Sequence, residues 1–156
     1  MEPAWGASWI WGLCLIALTI GVHAFGVVML ARGLRRVSTA ARKHGHALRH
    51  PVALAAGLVG AVGWALSVLH GIEAALWAAA YLWVGAIGSM RDAMLYSVDS
   101  ITTRGAAGLK LAPEWRLMGA LEAADGMLLF GISTAFVFAV ILHVDQNITK
   151  AKDSDP

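Results

Sequence analysis

Polar side chains are few in this sequence, and their spacing limits the chemistry open to it. Asp99, Thr102, Thr103, Arg104 and Lys110 fall in one polar stretch between two long apolar runs. Glu122 and Asp125 follow inside the next apolar run, His23 lies alone in the first, and His70 and Glu73 stand three apart in the second. A three-residue separation puts two side chains on one helical face, where they can pair. For His23 two readings stay open: a proton or gating sensor, or a hydrogen bond between helices. No nucleophile stands beside a base, and the intramembrane polar residues show no metal-ligand spacing. The sequence therefore points away from an enzyme and implies no cofactor.

These residues sit in a chain of 156 residues of which 58% are hydrophobic and 14% charged, with a mean hydropathy of +0.66. That composition belongs to integral membrane proteins and fits one domain. A net charge of +2 argues against nucleic acid as a partner. The single cysteine, Cys14, excludes an intrachain disulfide and is most simply a small packing residue.

The apolar runs must position the polar groups. The first, in segment 1–31, opens with Trp5, Trp9 and Trp11 at the headgroup level and predicts a transmembrane helix over 8–31. Segment 32–50 carries Arg32, Arg35, Arg36, Arg42, Lys43 and Arg49 without one acid. It reads as a basic cytoplasmic loop, which places the N-terminus outside. The same loop is open to contact with anionic lipids, and His44, His46 and His50 within it to a metal. Pro51 starts a second helix at a position where its missing N–H costs little.

Apolar character over 52–88 is too long for one upright span and barely enough for two. One long or kinked helix over 51–87 is preferred, because it brings the next polar stretch to the outer side and leaves Lys150 and Lys152 inside. A short re-entrant helix is expected over 90–103, a returning loop over 104–112, and a last span over 113–143 opened by Pro113-Glu114-Trp115-Arg116. Residues 144–156 read as a polar cytoplasmic tail.

The run Ser97-Val98-Asp99-Ser100-Ile101-Thr102-Thr103-Arg104-Gly105 resembles the end of the pore helix and the first half of the filter in the potassium-channel pore-domain family. The resemblance covers about residues 90–141, a third of the chain, and is nearest to small bacterial channel-like proteins with an extra N-terminal span. It implies an all-α membrane protein with three transmembrane helices, a re-entrant pore helix and a filter-like loop. It also implies a homotetramer, because one loop supplies only a quarter of a ring of carbonyls. The setting it implies is a bacterial-type inner membrane, with permeant ions and the bilayer as the other partners.

Family filters read Thr, Val or Leu, Gly, Tyr or Phe, Gly, Asp, whereas this chain has Thr103, Arg104, Gly105, Ala106, Ala107, Gly108. Ala106 removes the aromatic brace, Ala107 disfavours left-handed backbone, and Gly108 replaces the acid. The expectation is a pore for cations with weak or altered selectivity. A non-conducting structural or regulatory subunit, or an anion pore if Arg104 faces the axis, are the alternatives. Asp99 is expected to pair with Arg104 in bidentate geometry. Glu122 is expected behind the filter beside Arg104 or Lys110, and Asp125 as an acidic ring if it faces the cavity. Gly126 and Gly131 serve either as hinges or as points of close helix contact.

Overall fold

In lipid a backbone must satisfy its own hydrogen bonds, so apolar runs of this length have to form helices. The computed structural model describes residues 3–43, 51–105 and 108–153, and among them the regular structure is entirely helical. Helix α1 is Pro3–Lys43, α2 is Pro51–Trp83, α3 is Met90–Ile101, and α4 is Arg116–Asp153 after a 3-10 turn at Pro113–Trp115. Three stretches, Trp5–Ala40, Val52–Trp83 and Pro113–Gln146, are long and apolar enough to cross a membrane. The chain is thus a helical membrane protein.

Two helices run well past the ends expected from the sequence, while α2 and α3 stop a few residues short of theirs. Helix α1 continues through the basic residues to Lys43 instead of yielding to a loop at residue 32. After Gly33 no glycine or proline interrupts it, and arginine, alanine and leucine are good helix formers. Charge marks where apolar surroundings end, not where a helix must stop. Likewise α4 runs on to Asp153, through residues expected as a tail. His44, His46 and His50 lie outside the described residues.

The other ends follow local chemistry. Helix α2 is one uninterrupted element from Pro51 and closes with Gly85 at φ 71. There the Gly85 N–H donates to the Leu82 carbonyl at 3.1 Å and the Ala86 N–H to the Tyr81 carbonyl at 2.8 Å. Together these form the glycine-dependent Schellman stop. Helix α3 begins on Ser89, whose hydroxyl accepts from the Asp92 N–H at 3.1 Å. Asp92 itself favours that positive helix end.

The chain divides into two compact units. The first holds α1 up to Ala24 and everything from Leu69 to Gly131 that the structure describes. Its core is Leu15, Trp77, Ala78, Ala80, Tyr81, Ala86, Ala93, Leu111 and Met118. Tyr96 meets Tyr81 edge-on at 5.4 Å between ring centroids. The second unit comprises Phe25–Val68 and the chain from Ile132 onward, within the described residues. Hydroxyls there turn back on their own helix: Ser38 donates to Leu34, Thr39 to Arg35 and Ser67 to Gly63. Those three hydroxyls are thereby satisfied within their own helices.

Candidate functional site

Helix α3 is wedged between α2 and α4 by polar and steric contacts. The Ser97 hydroxyl reaches the Ala74 carbonyl at 2.7 Å and also a carboxylate oxygen of Glu122. Ser100 donates to the Gly119 carbonyl at 2.9 Å. At Gly126 an added Cβ would overlap the Ile101 carbonyl, so this glycine exists for close contact. Gly126 lies about 15 Å along α4 from its start, and Ala74 about 14 Å back from the end of α2. Gly131 has open space around its Cβ position.

The loop leaving α3 carries the residues singled out in the sequence. Thr102 caps α3, its hydroxyl donating to the Val98 carbonyl at 2.7 Å. Thr103 stands at φ 57 as the left-handed residue of a second Schellman-type stop. In that stop its N–H donates to Ser100 at 2.8 Å and the Arg104 N–H to the Asp99 carbonyl at 2.9 Å. A β-branched residue in this conformation is an outlier whose usual occupant is glycine, and such strain collects at functional positions. Gly105 and Gly108 also have positive φ, at 79 and 87. Thr102, Thr103, Arg104, Gly105 and Gly108 are all exposed in the single chain. Ala106 and Ala107 lie outside the described residues.

Arg104 and Asp99 do approach one another, Nη1 to Oδ1 at 3.5 Å, with the arginine side chain 72% exposed. That is longer than a bidentate charge-assisted pair. The buttress expected here is therefore a loose one, and the firm tie between the two residues is the backbone hydrogen bond.

Glu122 and Asp125 are both fully buried, with partners other than those expected. Glu122 accepts from Tyr81 at 2.6 Å and from Ser97, instead of pairing with Arg104 or Lys110. Asp125 accepts from Thr19 at 2.6 Å and from the Trp77 indole at 3.1 Å, so within the chain it is enclosed instead of presented to an open cavity. The cause is rotation of α4. The glycine contact at Gly126 fixes the helix so that Glu122 and Asp125 point at α1, α2 and α3.

A third buried carboxylate completes the series. Glu73 contacts His23 Nδ1 through Oε1 at 2.7 Å and lies 3.0 Å from His70 Nδ1 through Oε2. The His70–Glu73 pair was legible from spacing, and the interhelical role of His23 is the one the structure displays. Their convergence was not foreseen: His23, His70 and Glu73 form a three-donor set whose ligand atoms lie within 4.8 Å of one another. Spacing along the sequence carried no such signal, because the three donors come from two helices.

Thr19, Trp77, Tyr81 and Ser97 were missed as partners. The available signal was the four-residue step Glu73, Trp77, Tyr81 on α2 and Thr19, His23 on α1, which lays polar atoms along one stripe. Buried carboxylates demand such donors. No protein-family model, characterised protein or solved structure matches the chain.

Proposed function

We propose that the chain is one subunit of a membrane pore in which α3 and the loop after it dip into the bilayer and line the conduction path. The observation that carries this reading is the seating of α3. Its C-terminal end lies against Gly126, about 15 Å inside a membrane-crossing helix, roughly half the apolar thickness of a bilayer. Irregular backbone at that depth is tolerated only where it is buried in protein or lines a watery cavity. Within one chain Thr102, Thr103, Arg104 and Gly105 are exposed, so copies of the same loop are their natural cover.

Four copies around an axis close such a ring. The negative end of α3 then faces the path and favours cations. The loop's departures from the potassium-channel pattern make weak selectivity the expected outcome. On the same reading the basic segment holds the C-terminus of α1 in the cytoplasm, with the N-terminus outside, in a bacterial-type inner membrane. A second reading, an anion pore, rests on the exposure of Arg104.

Reconstitution into liposomes under potassium chloride gradients tests both. A reversal potential toward the potassium equilibrium value supports the cation pore, and one toward chloride supports the anion pore. Absence of current from a verified oligomer overturns conduction and leaves a structural or regulatory subunit. Lys110→Cys, in a chain with Cys14 replaced, should react with impermeant reagent added outside; reaction from the cytosol alone sinks the dipping loop.

A further inference from the structure

We propose that His23, His70 and Glu73 hold one divalent ion of the zinc class within the first unit of the fold. The donor set is two imidazoles and a carboxylate, which suits zinc and its neighbours and does not suit calcium or magnesium, whose ligands are oxygens. Three protein ligands with a fourth position left for water is a familiar zinc arrangement.

The geometry is already close to what an ion needs. Donors bound at about 2.0–2.1 Å in a tetrahedron are separated by about 3.3 Å. Here His23 Nδ1 and His70 Nδ1 stand 2.7 and 3.0 Å from the two Glu73 oxygens. All three ligand atoms fall within 4.8 Å. The two imidazole–carboxylate distances need to open by only about half an ångström to reach that separation.

The rings are also held in place. His70 stacks on Phe130 at 4.3 Å and 26°, and the two imidazoles lie 5.2 Å apart. His23 and Glu73 are fully buried and His70 is 12% exposed, so the three donors are enclosed on most sides.

Charge points the same way. One helical turn from the cluster, Thr19 on α1 and Trp77 on α2 both bind Asp125, so a second carboxylate lies in the adjoining layer. A divalent ion balances Glu73 and Asp125 together. Two buried carboxylates in adjoining layers are costly unless a compensating positive charge is near.

The test uses the full chain, purified through a tag that contains no histidine and stripped by chelator. After Zn2+ loading and desalting, elemental analysis should find one zinc per chain. Co2+ loading should give the intense absorption of a tetrahedral ion, which Zn2+ then abolishes. His23→Gln, His70→Gln and Glu73→Gln should each weaken Zn2+ affinity by at least about 100-fold, beyond what loss of an outer partner costs. The triple change His44→Gln, His46→Gln, His50→Gln should leave the stoichiometry unchanged.

Substoichiometric zinc in the wild-type chain overturns the proposal and leaves a His–Glu–His contact that only packs helices together. Zinc that survives the three single changes but is lost with the loop triple also overturns it. Should the single variants fail to elute as the wild type does, X-ray absorption on the zinc-loaded wild type decides. Scattering from two imidazoles supports the site, and its absence refutes it. Neither result depends on whether the chain conducts ions.

Discussion

Glu122 accepts hydroxyl protons from two helices at once, Tyr81 on α2 and Ser97 on α3. Hydrogen bonds between membrane helices contribute on average about 0.6 kcal/mol and at most about 1.7. Glu122→Ala should therefore lower stability by about 1–3 kcal/mol, with Glu122→Gln, which keeps a carbonyl acceptor, losing less. Denaturant unfolding in mixed micelles measures both. A Tyr81→Phe, Glu122→Gln cycle should show a coupling of about 0.6–1.7 kcal/mol. Thr103 makes the opposite prediction. Its left-handed backbone at φ 57 costs a branched residue roughly 1–2 kcal/mol that glycine would not lose. Thr103→Gly should raise the unfolding midpoint, and on the proposed pore reading it should also abolish or broaden ion selectivity in liposomes. A gain in stability with unchanged flux would remove Thr103 from the conduction path.

At the level of elements, α3 is seated by small residues as much as by hydrogen bonds. Gly126→Ala forces a methyl group onto the Ile101 carbonyl, a backbone atom that cannot swing aside. It should cost about 1–3 kcal/mol, whereas Gly131→Ala, with open space around it, should stabilise by about 0.5–1 kcal/mol. Thermal unfolding of the two variants separates the contact role from a hinge role at each position.

The elements were largely legible because their signals are local. Pro51 and Pro113 mark helix starts, while Ser89 with Asp92 at the start of α3 and Gly85 at the end of α2 are equally local signals that the sequence reading does not use. The ends of α1 and α4 were not legible, since nothing in the covalent chain breaks a helix where apolar residues give way to charged ones. Still less so were the partners of Glu122 and Asp125. Those depend on how far one helix is turned about its axis against another, and spacing along a single helix carries no such information. Trp77 and Tyr81 carried no signal of their own in the sequence; both are fully buried.

For the molecule as a whole, orientation should rest on the run from Arg32 to Arg49, which holds six of its 12 lysines and arginines. Neutralising these six should produce a mixed population, read by reporter fusions at the C-terminus, because local lysine and arginine bias sets which side is cytoplasmic. A population that stays uniform would shift the burden to other parts of the chain. Large apolar side chains such as Trp64, Trp83, Met127 and Phe138 lie exposed on the single chain, as expected of surfaces meeting lipid or further copies.

The 3.1 Å hydrogen bond from the Ala112 N–H to the Ala86 carbonyl joins the point where the chain departs for α3 to the point where it returns. Everything between is an excursion that begins and ends at one place. Within it Ser97, Ser100 and Ile101 tie α3 to α2 and α4, so the residues free to vary are the exposed ones of the loop after α3. Sequence change there leaves untouched the backbone tie at the base of the excursion.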